Sequence, residues 1–436
     1  MENTDTVCAL ATPAGNAGVA IIRISGPLAS SIGKEITQQV LQPRYAHFVS
    51  FSDLDNSTID QGIALFFPKP NSFTGEDVVE LHSHGNPYVC QRLLNRLVEL
   101  GARLAIAGEF SERAFVNGKM DLAQLEAIAD LISSGSEQAA RSAVLSMQGK
   151  FSEHVQKILQ QLILIRMHIE ASLDFSEEDI EIETRSRMGE QLIALNEAIE
   201  KIFAIAQQGV QLQRGATIVL TGRPNVGKSS LFNALCTEER AIVTNIPGTT
   251  RDVVRADIQI NGLPIQLLDT AGIREQAELV EQEGINRAQS AIETADLIIR
   301  VIDEPEEQLK KSSTNEITVL NKIDLFNAIN IPDTFIKVSA KKGEGLKQLH
   351  GEIVKVLGIT SQNQEPPFSA RNRHLEALRS SNNAIQTAIQ YMQNNSPLEL
   401  VAEELRLAQQ SLAKITGEFT PDDLLDYVFR EFCIGK

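Results

Sequence analysis

The sequence predicts a chain of mixed α/β and all-α parts: an N-terminal α/β domain, a helical domain in two halves, and a second α/β domain inserted between those halves. Two observations predict this fold class. β-Branched runs bounded by turn residues give way to apolar residues at helical spacing, and a later region alternates short apolar strands with helices. A length of 436 residues also exceeds one core and fits two to four domains.

Residues 1–118 are predicted to form the N-terminal α/β domain. A helix is predicted over Pro87 to Leu100, because its apolar residues share one side and Gly101 follows as a stop. Runs rich in β-branched or aromatic residues and bounded by Gly, Pro or Asn predict strands; they are Val19 to Ser25, His47 to Asp53, Gly62 to Pro68 and Asp77 to His84.

Residues 119–213 and 366–436 are predicted to be the two halves of the helical domain. Both repeat apolar residues at helical spacing, and two or three helices are predicted in the second half, at Leu375 to Met392, Leu398 to Ile415 and Asp422 to Phe432. An amphipathic helix must bury its apolar stripe, and each half has only the other as an obvious partner. The acidic stretch 177–183 is interpreted as a solvated loop, with a cation or partner site as the alternative.

Residues 214–358 are predicted to form the inserted α/β domain. Short apolar strands alternate with helices there, which is typical of a mainly parallel sheet. The predicted strands are ATIVLTG, PIQLLDT, ADLIIRVID, EITVLNK and FIKVSA.

Composition and charge exclude several classes of protein. No apolar stretch approaches the roughly 20 residues that span a bilayer, and the first residues carry acids where a secretory signal carries Lys or Arg, so we expect a cytoplasmic protein without a membrane partner. The four cysteines lie far apart, which excludes a zinc knuckle. A net charge of −17 argues against indiscriminate nucleic-acid binding, so an RNA contact requires a local basic patch or a partner.

A phosphate-binding loop stands at the start of the inserted domain. GRPNVGKS, Gly222 to Ser229, follows a predicted strand and matches G-x-x-x-x-G-K-[ST], whose backbone N–H groups cradle phosphates. Lys228 is expected to reach the β- and γ-phosphates, and the Ser229 hydroxyl to bind Mg2+. The nucleotide-binding residues predicted in this loop are Asn225, Val226, Gly227, Lys228, Ser229 and Ser230.

Three later motifs identify the nucleotide as GTP. The Asp324 carboxylate of NKID can accept from the guanine ring N–H and exocyclic amine together, a donor pair that adenine lacks. Asp269 is expected near the metal and the Gly272 N–H near the γ-phosphate, while Ser339 to Lys341 closes the base pocket. The predicted residues are Asp269, Thr270, Ala271, Gly272, Asn321, Lys322, Asp324, Ser339, Ala340 and Lys341.

Hydrolysis requires a further device, because the position at which Ras-like proteins carry a water-orienting Gln is Ile273. One candidate is Asn225, whose amide oxygen could hold a monovalent cation beside the phosphates. The other is an acid after DTAG, where sequence alone does not choose among Glu275, Glu278, Glu281 and Glu283.

These motifs resemble the MnmE (TrmE) family of tRNA modification GTPases, and the resemblance spans the whole chain. It is carried by GRPNVGKS, GTTRD, DTAGIRE, NKID, VCALATPAGNAGVAIIRISG, FTGEDVVELHSHG, GEFSERAFVNGKMDLAQLEAIADLI and the final FCIGK. It implies a folate-binding and dimerising N-terminal domain, a discontinuous helical domain and an inserted Ras-like GTPase domain.

The resemblance also assigns roles to residues. It implies that Glu281 orients the attacking water and that Thr250 joins Ser229 on Mg2+. A K+ ion would be bound by Asn225, Thr244, Ile246 and Thr249, and the GTP-binding set would extend over Thr244, Asn245, Ile246, Pro247, Gly248, Thr249 and Thr250. A 5-formyl- or methylene-tetrahydrofolate would be bound by Arg23, Glu80, Lys119 and Lys436.

The activity implied is a K+-dependent, Mg2+-requiring GTP hydrolase that modifies tRNA. As a homodimer, and in a heterotetramer with the FAD-dependent MnmG (GidA), it would install a carboxymethylaminomethyl or aminomethyl-type group at carbon 5 of the wobble uridine. One alternative is a switch GTPase in ribosome assembly, similar to Era or EngA, although no KH module or second GTPase domain is visible. Another is a folate enzyme whose GTPase part only scaffolds assembly.

Cys433, in the terminal FCIGK, has three interpretations. It is a small apolar residue of a terminal helix, a prenylation site that the final Lys fits poorly, or a catalytic thiol. The resemblance favours placing it near the folate, where a thiol of depressed pKa could attack an electrophilic pyrimidine carbon.

Overall fold

The computed structural model describes residues 5–174, 182–238, 255–260, 262–269, 291–304, 315–325, 335–357, 367–418 and 435. They fall into two compact units, one formed by Met1–Ala129 with Gln409–Lys436 and the other by Asp130–Ala408. Within the described ranges, no helix combines the length and apolar character needed to cross a membrane.

Eleven helices and twelve strands have bounds within the described residues. The helices are α1 (Ala29–Thr37), α2 (Pro87–Glu99), α3 (Glu109–Val116), α4 (Leu122–Ser133), α5 (Glu137–Met147), α6 (Lys150–Asp174), α7 (Ile182–Arg214), α8 (Lys228–Glu238), α9 (Leu346–Val356), α10 (Asn372–Gln393) and α11 (Leu398–Thr416). The strands are β1 (Val7–Leu10), β2 (Ala17–Ser25), β3 (His47–Ser52), β4 (Thr58–Phe67), β5 (Val78–Gly85), β6 (Arg103–Leu104), β7 (Ala216–Thr221), β8 (Arg255–Ile260), β9 (Leu263–Asp269), β10 (Leu297–Ile302), β11 (Glu316–Leu320) and β12 (Ile336–Lys337).

The first unit contains a six-stranded sheet in the order β3-β4-β5-β2-β1-β6. Its pairs are antiparallel except β1 with β6, which is parallel. Side chains alternate across the sheet, so Ile22 and Ile24 are buried with Leu93 and Leu97 of α2, while Arg23 between them faces the other side. The sheet therefore presents its polar pair Arg23 and Glu80 on the face away from α2.

A buried ion network ties the first unit together. The Arg113 side chain has no exposed surface and contacts carboxylate oxygens of Asp5 at 2.8 Å, Glu76 at 3.1 Å and Glu109 at 2.9 Å. Burial alone would raise the pKa of Glu109, but hydrogen bonds from Arg103, the Ile106 N–H and Arg113 outweigh it and lower that pKa. The network joins α3 to the loop before β5 and to the start of the chain.

Helices from both sides of the inserted domain pack together in the second unit. α7 lies along α10, the rings of Phe151 and Phe368 stack with centroids 4.6 Å apart, and Asp130 pairs with Arg371 at 2.9 Å. This packing agrees with one helical domain interrupted by an insertion. The domain boundaries at 118, 213, 358 and 366 stay predictions.

The inserted sheet has the order β12-β11-β10-β7-β9-β8. All of its pairs are parallel except β8 with β9, which confirms a mainly parallel sheet. Its core is built from inward residues of the strands and helices α8 and α9, including Ile218, Leu231, Leu267, Ile299 and Leu349. The carboxyl ends of β7, β9, β10 and β11 therefore meet at one edge, where binding loops of α/β sheets lie.

The sequence predictions of single elements have mixed outcomes. Strands β2 to β5, helices α2, α10 and α11 and the five predicted strands of the inserted domain lie where predicted. The elements missed were α1, α3, β1, β6 and β8. The predicted helix from Asp422 to Phe432 lies outside the described residues, as does nearly all of the acidic stretch 177–183.

Candidate nucleotide and folate sites

The loop between β7 and α8 requires glycine at two positions. Gly222 has φ of +145°, and a Cβ there would lie 2.2 Å from the Val301 carbonyl oxygen. Gly227 has φ of +95°, and a Cβ there would lie 2.3 Å from the Asn321 Nδ2 atom. Close packing of this loop on β10 and on the residue after β11 therefore fixes its path.

Lys228 and Ser229 begin α8 at the carboxyl edge of the sheet. Lys228 is only 7% exposed, and its Nζ donates to the carbonyls of Gly222 at 3.1 Å and Arg223 at 2.8 Å. The Ser229 hydroxyl donates to Asp269 Oδ2 at 3.0 Å. A hydroxyl and a carboxylate side by side are oxygen ligands of the kind that Mg2+ prefers, so these two residues fit the predicted metal role.

The NKID loop after β11 contacts the phosphate-binding loop directly. Asn321 is buried, its Nδ2 donates to the Val226 carbonyl at 3.0 Å, and its Oδ1 accepts from the Ala340 N–H at 3.1 Å. Lys322 Nζ donates to the Asn225 carbonyl at 2.6 Å. The structure thus brings three predicted motifs together around one edge of the sheet.

Asp324 has the charge state that guanine recognition needs. The Ser339 hydroxyl donates to Asp324 Oδ1 at 2.7 Å. That hydrogen bond lowers the pKa of Asp324 below its ordinary value of 3.8, with smaller help from Lys342 and Lys341. The carboxylate is therefore ionised at neutral pH and able to accept two hydrogen bonds.

Asn225 has the conformation of a specialised loop residue. Its φ is +66°, a left-handed value that is uncommon outside glycine, and the residue is exposed. An exposed amide on a strained loop fits a cation-binding side chain. The other predicted K+ ligands, Thr244, Ile246 and Thr249, lie outside the described residues, as do Asn245, Pro247, Gly248, Thr250, Thr270, Ala271, Gly272 and Glu281.

The first unit brings two predicted folate residues together. Arg23 Nε donates to Glu80 Oε1 at 2.9 Å, and the guanidinium carbon lies 5.2 Å from the Phe73 ring centroid and 5.6 Å from that of Phe110. Burial would raise the pKa of Glu80, but His82 and Arg23 outweigh it and lower that pKa. The result is an ionised carboxylate and a flat cation held between aromatic rings.

Of the other two predicted folate residues, the structure describes Lys119 but not Lys436. Lys119 Nζ donates to the Pro70 carbonyl at 2.9 Å, on the loop that leads to Phe73. Lys436 and Cys433 lie outside the described residues. Gly435 lies within the described residues, and a Cβ there would lie 2.1 Å from the Leu10 carbonyl oxygen. Leu10 follows Ala9, which pairs with Arg23 in the sheet.

Comparison with known families decides the assignment. The model described as "MnmE helical domain" matches residues 122–433, and the one described as "GTP-binding protein TrmE N-terminus" matches residues 6–119. The chain belongs to the MnmE family. Two relatives named "tRNA modification GTPase MnmE" agree: one from Coxiella burnetii (strain Dugway 5J108-111) is 48% identical over 99% of each chain, and one from Hydrogenovibrio crunogenus is 48% identical over 100% of this chain and 99% of its own.

A third relative with the same name, from Nitrosomonas eutropha, is 46% identical over the full length of both chains. Among solved structures, the G domain of the T. maritima FeoB iron transporter aligns at 28% identity with 32% of this chain and 98% of its own. Its TM-score of 0.24 carries no argument about the fold. The assignment to the MnmE family therefore rests on the sequence matches.

Several residues at these two sites were missed by sequence reasoning. Phe73 and Phe110 flank Arg23, Arg113 holds the loop that carries Phe73 through Glu76, and Asp303 contacts Lys322. Of these residues, only Asp303 could have been found from the sequence. It directly follows strand β10, and residues at the carboxyl ends of parallel strands are typical of binding sites.

Proposed function

We propose that this chain is a K+-dependent, Mg2+-requiring GTP hydrolase that acts in tRNA modification. The observation that carries the proposal is the meeting of the phosphate-binding loop with the guanine-reading loop. Gly227 packs on Asn321, and the Ser339 hydroxyl donates to the Asp324 carboxylate. Membership in the MnmE family supports the tRNA part of the proposal.

In the proposed hydrolysis, residues of the chain position GTP and balance its charge. Lys228 neutralises phosphate charge at the N-terminus of α8, whose unpaired N–H groups favour an anion. Ser229 and Thr250 would hold Mg2+ near Asp269, and the ion would supply charge stabilisation of the transferring phosphoryl group. Asn225 with Thr244, Ile246 and Thr249 holds K+, and Glu281 orients the attacking water.

The first unit is proposed to bind tetrahydrofolate, as the 5-formyl or methylene form, and to mediate the homodimer. Arg23 and Glu80 suit a pterin, because an ionised carboxylate accepts from neighbouring ring N–H groups and the guanidinium offers a flat surface. Lys119 and Lys436 are proposed to add positive charge for the folate carboxylates. Gly435 beside Leu10 supports a place for the chain end near this sheet.

The proposed product is an aminomethyl-type or carboxymethylaminomethyl group at carbon 5 of the wobble uridine of certain tRNAs. The folate supplies the one-carbon unit when bound, and the FAD-dependent partner MnmG (GidA) joins the homodimer in a heterotetramer in the cytoplasm. Cys433 is proposed to be the thiol that assists attack on the uridine.

The hydrolase part is tested by GTP turnover of the purified chain in K+ and in Na+ buffers. We expect turnover only with Mg2+ and a marked activation by K+. Glu281→Ala should abolish turnover and leave GTP affinity nearly unchanged, because the residue acts on water and not on the nucleotide. Unchanged turnover in Glu281→Ala would remove this residue from the mechanism.

The tRNA part is tested by mass spectrometry of tRNA nucleosides from cells with and without this gene. Loss of the substituent at carbon 5 of the wobble uridine supports the proposal, and Cys433→Ser is then expected to reproduce the loss. An unchanged nucleoside profile would contradict the tRNA proposal and favour a switch GTPase of ribosome assembly.

A further inference from the structure

Asp303 lies at the carboxyl end of β10, beside the loop that follows β11. Its Oδ2 atom is 2.7 Å from Lys322 Nζ, and both side chains are about one-third exposed, at 32% and 34%. The distance is short enough for a charge-assisted hydrogen bond as well as an ion pair. The carboxylate therefore holds the lysine ammonium at the edge of the sheet where the binding loops meet.

The same ammonium contacts the phosphate-binding loop. Lys322 Nζ donates to the Asn225 carbonyl oxygen at 2.6 Å. Lysine has three donors on one flexible stem, so its position depends on the partners that fix it. Asp303 and the Asn225 carbonyl are thus linked through one nitrogen atom.

Both residues joined by this contact have strained backbones. Asn225 has φ of +66° and Lys322 has φ of +63°. Asparagine adopts this region more readily than most residues, but a lysine persists there only where its surroundings hold it. The Asn225 peptide begins the turn that presents Val226 and Gly227, so its orientation decides where the next N–H groups point.

An exposed ion pair is usually worth little, because water competes for both charges. The pair of Asp303 and Lys322 differs from such contacts, because Lys322 also donates a hydrogen bond to the backbone carbonyl of Asn225 in the phosphate-binding loop. The ion pair of Glu352 and Lys355 is an ordinary surface contact by comparison. Their charged atoms are 3.3 Å apart, and the pair spans only one turn of α9. It provides a matched control in the same domain.

We propose that Asp303 is a positioning residue, which acts through Lys322 to hold Asn225 and with it the phosphate-binding loop in the nucleotide-competent conformation. This proposal rests on the proposed GTP binding at that loop. Without the carboxylate, the ammonium turns to solvent, the Asn225 carbonyl loses its donor, and the strained turn relaxes. Bound nucleotide then escapes faster, and the Asn225 amide is no longer held in place for a cation.

The test is the dissociation rate of a fluorescent GDP analogue from the full chain, chased with excess GDP. Asp303→Asn should raise this rate about tenfold, the size expected when a hydrogen bond to a charged group is lost. Asp303→Glu keeps the charge and should restore most of the slow rate, while Glu352→Gln should leave it unchanged. The K+ concentration for half-maximal hydrolysis should also rise in Asp303→Asn, and the melting temperature of the nucleotide-free chain should not change.

The outcomes separate this proposal from the function on which it rests. Slow dissociation in both wild type and Asp303→Asn would overturn the positioning role and leave GTP binding intact. A lowered melting temperature of nucleotide-free Asp303→Asn would overturn it as well, because a positioning role predicts normal folding without nucleotide. Failure of the wild-type chain to bind the GDP analogue would overturn the proposed function itself.

Discussion

The contact between Ser339 and Asp324 determines how the carboxylate faces its ligand. Because the hydroxyl lowers the pKa of Asp324 from 3.8, the group is charged at every pH above about 4. Loss of the hydroxyl would raise that pKa back toward its ordinary value, which still leaves the group ionised at pH 7. At neutral pH Ser339 therefore orients the carboxylate, and its contribution to affinity does not come from its charge state.

Ser339→Ala should weaken GDP binding about fivefold, because one orienting hydrogen bond is lost. The preference for GDP over inosine diphosphate should shrink at the same time. Inosine lacks the exocyclic amine, which in guanine donates a hydrogen bond to the correctly oriented Asp324 carboxylate. Titration calorimetry with both nucleotides at pH 7 measures the two effects. An equal loss of affinity for both nucleotides would show that Ser339 acts only as a structural residue.

Residues of the inserted-domain site were predictable because their motifs follow parallel strands, whose carboxyl ends share one edge. Ser229 with Asp269, and Asp324 with Ser339, are each joined by a hydrogen bond as their places in the motifs suggest. The ion network of Arg113 was not predictable, because only Glu109 lies one helix turn away, while Glu76 and Asp5 lie 37 and 108 positions away along the chain. No local spacing connects such residues, and only the folded sheet brings them together.

At the scale of elements, the hairpin of β8 and β9 joins the nucleotide site to the helical segment between α4 and α5. β9 ends at Asp269, while Gln259 Nε2 donates to the Gly135 carbonyl at 2.9 Å near the other end of the hairpin. Alternating Ile258 and Ile260 before the Asn-Gly turn dipeptide were the signal for the missed strand β8. The contact with the helical segment had no sequence signal, since it depends on how two domains pack.

Gly262→Ala should cost about as much stability as an ordinary left-handed Gly→Ala change, because its Cβ would meet only the flexible end of the exposed Gln138 side chain, which can turn away. Gly262 has φ of +81°, and a Cβ there would lie 2.3 Å from Gln138 Cδ. Gly343 has φ of +73° with nothing within 4 Å of such a Cβ, so Gly343→Ala carries the backbone cost alone, about 1–2 kcal/mol. Urea unfolding followed by circular dichroism compares the two variants.

Gln138→Ala provides the control for this comparison. Combined with Gly262→Ala, it should bring no recovery of stability, because the Gln138 side chain already turns away from the new Cβ. A greater destabilisation by Gly262→Ala than by Gly343→Ala, relieved by Gln138→Ala, would contradict this prediction and mean that the Gln138 side chain is fixed against the hairpin turn.

At the scale of the whole molecule, the order of parts along the chain was predictable, while the pairing of its helices was not. Amphipathic stripes before and after the inserted domain require partners, and α7 with α10 supplies one such pair. These apolar stripes do not determine which helices pack together, because each of the helices is apolar on one side. Asp130 and Arg371, 241 positions apart, fix one of these pairings through contacts that no periodicity encodes.

The net charge of −17 opposes any polyanion that approaches the chain, so tRNA recognition should depend on a partner. We expect fluorescence anisotropy with labelled tRNA at about 150 mM salt to give no saturable binding by this chain alone up to about 10 μM, within the range of non-specific nucleic-acid affinities. Addition of the proposed FAD-dependent partner should produce saturable binding, and that protein measured without this chain is the control for its own affinity. Tight binding by this chain alone, weakening steeply with salt, would instead indicate a local basic surface strong enough to overcome the overall charge. In that case the number of phosphates contacted follows from the slope of log affinity against log salt, and Lys→Gln changes on exposed surfaces would locate the patch.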